Sequence, residues 1–196
     1  MSICDGIIKQ GLPQGDCSRL PAKGYEKRAL IINRVDVDFA NVTISESHPN
    51  VITALGLKAG KTGFEVFQLG KAPFTGSNAA LEANDYYNGV TKNLAIGIVN
   101  NDRDVQANFV DPLLNGDFIA IVERKDKGVD NASAFEVIGY HNGLQVSALA
   151  EDAYGDLFNG GLYTLTETGA PVTRMYLGET YEAGQTLFES LLKAAA

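Results

Sequence analysis

The chain has no tryptophan and only two histidines, two cysteines and two methionines in 196 residues. His48 precedes Pro49, and His141 sits in an expected hairpin turn, Tyr140-His141-Asn142-Gly143. Neither has a Cys or Ser partner in a recognisable motif, and no Gly-x-Ser-x-Gly occurs, so both read as solvated turn residues. Cys4 and Cys17 lie thirteen positions apart with no His nearby, a poor start for a zinc site, which takes four ligands. They read either as free thiols or as a bridge closing a terminal loop. No stretch approaches the roughly 18 apolar residues of a membrane span. Met1-Ser2-Ile3-Cys4-Asp5 lacks the positive and apolar regions of a secretory leader, so cytosolic synthesis is expected. Basic residues are also scarce: 16 Lys and Arg against 24 Asp and Glu, a net charge of −8. That argues against general binding to a phosphate backbone, which needs Lys and Arg to release counterions. A conduit for DNA is different, because it should repel the backbone so that nothing sticks in transit.

Hydrophobic residues make up 45% of the chain and charged residues 20%, a globular composition. The length suggests one large domain, or one domain with arms. The strongest signal is a block of three β-type runs. Phe118-Ile119-Ala120-Ile121-Val122 is followed by Ala134-Phe135-Glu136-Val137-Ile138-Gly139-Tyr140 and then by Gly143-Leu144-Gln145-Val146-Ser147-Ala148-Leu149. Nothing in or beside them is arranged for chemistry. The chain therefore reads as one whose product is a surface, with no catalytic residues, no cofactor and no metal site.

Residues 1–27 are rich in Gly, Pro and charge and read as an irregular arm. Residues 28–176 form the core. Ala29-Leu30-Ile31-Ile32 opens it, and Val35, Val37 and Phe39 continue at period two, with Asp36 and Asp38 on the other face. Two carboxylates on one strand face suit its wet side as well as they suit a cation. Asn41–Ile44 is a further strand. Val51–Leu57 and Phe64–Leu69 are expected to pair as a hairpin, followed by a long connection over 70–90 and a strand over Thr91–Val99. Val105, Phe109 and Leu113 recur at helical spacing after Asn100-Asn101-Asp102, and Pro112 is expected to bend or end that helix. Gly161–Thr166 is the last clear strand. Residues 177–196 form a helical tail with a Leu187 and Leu191 stripe. The fold class expected is mainly β: a sandwich or barrel of about eight strands, with one short mid-chain helix and a C-terminal helix.

Gly56-Leu57-Lys58-Ala59-Gly60-Lys61-Thr62 has the Gly-Lys-Thr of a phosphate-binding loop but one residue too few between its glycines. A strand follows it where the phosphate would need a helix N-terminus, so it reads as a turn.

The layout of arm, β core, long loop, short helix and resumed strands resembles the tail tube proteins of long-tailed bacteriophages and related ring-forming tail or neck proteins. The texture of Phe135–Tyr140 and Gly143-Leu144 is similar to the late strands of such proteins, and the likeness covers roughly residues 28–168. It implies a virion structural protein made in the host cytoplasm. Its partners would be further copies of itself, in hexameric rings that stack, and other tail or neck proteins. DNA would pass through the lumen without specific binding, and no membrane is involved. Inner strands would close into a continuous barrel, and rings would stack through loop 70–90 and the arms. The apolar residues expected at subunit contacts are Phe74, Leu81, Tyr86, Tyr87, Leu187 and Leu191. Other readings are a capsid-decorating protein, the tube of a contractile injection system, or a β-barrel for a small ligand.

Overall fold

The computed structural model describes residues 8, 10–12, 21–100, 102–155, 157 and 160–193. Cys4, Cys17 and much of the expected arm lie outside the described residues. The fold is mainly β, as expected, with eleven strands among the described residues against the eight or so anticipated. They are β1 (Tyr25–Asn33), β2 (Thr43–Ile44), β3 (Val51–Ala54), β4 (Phe64–Phe67), β5 (Asn78–Glu82), β6 (Gly89–Ile98), β7 (Phe118–Arg124), β8 (Phe135–Ile138), β9 (Gln145–Glu151), β10 (Gly161–Ala170) and β11 (Met175–Leu177). Seven form one sheet in the order β2-β3-β11-β8-β7-β1-β4, and four form a second in the order β5-β6-β10-β9. No helix among the described residues is long and apolar enough to cross a membrane.

The seven-stranded sheet is buried on both faces, which explains the block that dominates the sequence. Phe118, Ala120 and Val122 of β7 face the core shared with the four-stranded sheet, while Ile119 and Ile121 face a second core beneath the C-terminal helix. A strand covered on both sides reads as an unbroken apolar run. Helix α3 (Tyr181–Leu191) closes the second core. Thr180 caps it by accepting the Ala183 N–H at 3.2 Å. Gly184 allows close approach, since a Cβ there would stand 2.5 Å from the Leu177 carbonyl. Phe188 and Leu191 are buried, with the Phe188 ring 5.6 Å from Phe135.

The mid-chain helix runs through Pro112 instead of ending at it. It comprises α1 (Arg103–Val105), a π turn over Gln106–Val110 and α2 (Asp111–Asn115). Proline lacks an N–H and its ring crowds the carbonyl four residues earlier; the wider π turn relieves that conflict. Val110 and Leu113 then seal one end of the inter-sheet core.

Four expectations are corrected. The segments at 51–57 and 64–69 are not a hairpin: β3 pairs with β2 and β11, while β4 pairs with β1 at the opposite edge of the sheet. The intervening chain crosses the second core, held by the Val37–Leu57 bridge and by Gly63 N–H donating to the Leu191 carbonyl. The period-two run past Ile32 is not strand, since β1 gives way to 3-10 turns at Arg34–Asp36 and Phe39–Asn41. The connection at 70–90 contains β5, which pairs with β6. The turn at 140–143 does not join paired strands: β8 belongs to the seven-stranded sheet and β9 to the other.

Replacing Phe188 with Ala should lower the unfolding free energy by about 3–5 kcal/mol, as for other buried aromatics. Urea unfolding would measure it, and an unchanged midpoint would show that α3 adds nothing to the core.

Candidate assembly surface

The turn between β8 and β9 is built around one carboxylate. Glu167 of β10 is fully buried. Its Oε1 accepts the His141 and Asn142 N–H groups at 3.1 and 3.2 Å, and its Oε2 accepts the Gly139 N–H at 3.0 Å. Lys92, its neighbour across the β6–β10 ladder, places Nζ 3.4 Å from the same Oε2 and is also buried. Gly139 has φ +85°, and a Cβ there would meet the Phe118 carbonyl at 2.6 Å, so the chain can turn here only at glycine. His141 is thereby a turn residue whose carbonyl accepts Arg34 Nη2 at 2.9 Å, and burial lowers its pKa.

A second buried carboxylate, Glu136 of β8, lies 3.7 Å from both Arg124 and Arg174 and accepts the Tyr25 hydroxyl at 3.4 Å. Burial raises the pKa of Glu136 despite the two guanidinium groups. Tyr25 is pushed up to about 12, chiefly by burial and then by the charge of Glu136. Asp36 is placed structurally: its carboxylate accepts Asn33 Nδ2 at 3.0 Å and pairs with Lys61 at 3.1 Å. The Asn33 hydrogen bond leads in lowering its pKa. Asp38 accepts Asn41 Nδ2 at 2.6 Å. No group of three potential metal ligands occurs among the described residues.

With β9 fixed this way, the four-stranded sheet presents an outward face that is partly exposed around Asn93 and Thr166 and covered lower down, where Ala95 is buried beside Gly76 and Gly97 lies against Leu157. Lys92, Leu94 and Ile96 of β6 and Tyr163, Leu165 and Glu167 of β10 point inward. The alternate positions point outward and carry no Lys or Arg. Side-chain hydrogen bonds run across all four strands on this face. Asn93 donates to Asn78 at 2.9 Å, Thr166 donates to Asn93 at 2.7 Å, and Ser147 lies 2.6 Å from Thr166. Thr91 donates to Glu82 at the upper rim at 2.9 Å. The ladder joins the strands into one smooth polar wall.

Both edges of that wall are open among the described residues. β5 (Asn-Ala-Ala-Leu-Glu) and β9 (Gln-Val-Ser-Ala-Leu-Ala-Glu) have no Pro and no Lys, the usual guards of a free edge, though β9 carries a bulge. The β5–β6 turn lies at one end of the sheet and the β9–β10 turn at the other, because the four strands alternate in direction. Each end exposes tyrosine: Tyr86 and Tyr87 are 95% and 60% exposed at the first, and Tyr154 is 99% exposed at the second.

The residues expected at subunit contacts divide. Leu81, Tyr86 and Tyr87 are exposed on β5 and its turn. Phe74 and Leu191 are buried within the subunit, and Leu187 is half-buried against the second core. Phe74 meets the Tyr25 ring edge-on at 6.2 Å. Glu167, Lys92 and the ladder Asn78–Asn93–Thr166–Ser147 escaped the sequence reading. The one signal available was a lone Glu and a lone Lys at apolar-face positions of otherwise alternating strands. The chain matches no protein-family model, no curated protein and no solved structure.

Glu167→Gln should leave the Lys92 charge buried and uncompensated, at a cost of about 3–5 kcal/mol. Adding Lys92→Met should recover part of it, and a double variant as unstable as the single one would disprove the pairing. The raised Glu136 pKa sets a pH trend. The folded state holds that proton more tightly, so this group's contribution to stability falls as pH rises from the ordinary glutamate pKa through the raised folded value. Stability measured across that window should slope less steeply downward in Glu136→Gln than in the parent chain.

Proposed function

We propose that this chain is a ring-forming structural subunit of the bacteriophage tail tube type, whose four-stranded sheet closes with its neighbours into a barrel that serves as a conduit for DNA. The observation that carries the reading is the register of that sheet. The middle of β5, Ala80, lies opposite Thr91 of β6. The middle of β9, Ala148, lies on the row of Thr164 and Ala95. Thr91 and Ala95 are four residues apart, so the two edge strands are offset by four residues across one four-stranded sheet. Pairing the midpoint of β9 of one copy with the midpoint of β5 of the next would climb about 13 Å over about 19 Å of sheet width, a strand tilt of about 35°, using ordinary strand rise and spacing. Closed barrels tilt their strands by roughly 35–45°. The alternation of strand direction also survives the join, because β5 and β9 run in opposite directions and the seam is antiparallel.

Other features agree with a conduit. The outward face is smooth, hydrogen-bonded and free of cations, so a passing phosphate backbone finds no counter-charge. Ring closure removes two unguarded edges at once. The tyrosine-bearing ends lie on opposite rims, where successive rings would meet.

Two variants test the reading. Leu81→Lys puts a charge on the β5 edge and should leave stability within about 0.5 kcal/mol of the parent while holding the protein as a monomer by light scattering. Replacing residues 83–88 by Asn-Gly should leave rings that do not lengthen into tubes. Rings of Leu81→Lys indistinguishable from the parent's would rule out β5 as the seam.

A further inference from the structure

Resting on that ring reading, we infer that each subunit carries a basic socket for the acidic foot of its neighbour's β9, formed by Lys23, Lys71 and Lys125 and filled by Glu151 and Asp152 of the adjacent copy. The socket is a cavity of about 290 Å³ walled by these three lysines and the segment 71–77. None of the three lysines has an ion-pair partner among the described residues. They are gathered in a chain whose net charge is −8. The wall is held firmly. Phe74 adopts φ +58°, a conformation uncommon outside glycine, and is kept there by its ring, buried in the core against Tyr25. Ser77 is fixed to β6 by accepting the Ala95 N–H at 3.0 Å.

The register at the seam delivers the acidic residues to this wall. With Ala148 of one copy opposite Ala80 of the next, an antiparallel ladder places Glu151 beside Ser77 and Asp152 beside Gly76. Both Ser77 and Gly76 line the socket. Glu151 and Asp152 are exposed at the end of β9, and no cation pairs with either among the described residues. Among the described residues the Asp152 side chain accepts the local Tyr154 N–H at 2.9 Å, and Glu151 Oε1 accepts the Tyr163 hydroxyl at 2.9 Å, which leaves its other oxygen for the socket. Charge complementarity then fixes which of the possible seam registers forms, a role that opposite charges fill well at interfaces.

Charge reversal tests the assignment in the full chain. Lys71→Glu with Lys125→Glu, and separately Glu151→Lys with Asp152→Lys, should each raise the protein concentration needed for ring assembly by more than about tenfold. Combining all four substitutions, or mixing the two variants, should restore rings by electron microscopy and light scattering. Assembly of the parent chain should also weaken as salt rises from about 0.05 to 0.5 M, a measurement that does not depend on any variant folding. Parent rings that are indifferent to salt and to both reversals would overturn the socket and leave the ring reading standing. A parent chain that forms no rings would overturn both. Salt-sensitive binding of duplex DNA that the lysine reversal abolishes, with assembly unchanged, would overturn the socket and assign the pocket to nucleic acid.

Discussion

The architecture turns on the contact between Glu167 and the three backbone N–H groups of the β8–β9 turn, backed by Lys92. Two adjacent β segments with a four-residue turn between them would ordinarily fold back as a hairpin. Here the carboxylate, anchored on β10 of the other sheet, holds the turn open and sends β9 across to that sheet. Breaking one side of such a buried pair costs about 3–5 kcal/mol. That is a large part of the roughly 5–15 kcal/mol that keeps a domain folded. The same contact makes β9 an edge strand of the four-stranded sheet and fixes its row relative to β5. The stagger on which the proposed barrel closure would depend is thus set by an ion pair inside the subunit.

The rest of the fold arranges itself around that division. The seven-stranded sheet is the rigid centre, buried by the smaller sheet on one face and by α3 on the other. The smaller sheet is stitched to it by more than packing. Gln68, just past β4, bonds both the N–H and the carbonyl of Gly97 on β6, at 2.9 and 3.1 Å. The segment after it turns back under the core through Phe74 before β5 begins. Among the described residues the smaller sheet ends in the open edges β5 and β9 and in two tyrosine-bearing ends, the surfaces that the proposed ring and its stacking would cover, while the larger sheet ends in β2 and β4.

Local composition made much of this legible. The apolar run of β7, the alternation of β6, the helical spacing of Val105 and Leu113 and the stripe of α3 all appear in the sequence, because each reports a neighbour within a turn or a strand's own pleat. Strand partners were not legible. The pairing of β4 with β1 and the assignment of β8 and β9 to different sheets depend on contacts between residues distant in sequence, such as Glu167 with His141. Gly139 and Glu167 would have to be read together to reveal the turn, and no local pattern links them. The burial of Phe74 and Leu191 was not legible because an apolar side chain in a loop or terminal helix looks alike whether it covers a neighbour or its own core. In the candidate surface, Leu81, Tyr86 and Tyr87 were visible as costly exposed groups. The hydrogen-bonded ladder was hidden among Asn, Ser and Thr residues that elsewhere mark turns.

One physical relation joins the fold to the proposed function: a four-stranded antiparallel sheet with open edges and a four-residue stagger would tile into a tilted barrel without breaking its pattern. Electron microscopy of the purified full chain, taken with its mass in solution, tests that relation most directly. The account predicts rings with an open centre whose wall is a continuous antiparallel sheet, strands tilted by about 35°, and β9 of each copy beside β5 of the next. A monodisperse monomer at every concentration, or an assembly in which β5 and β9 both face solvent, would contradict it.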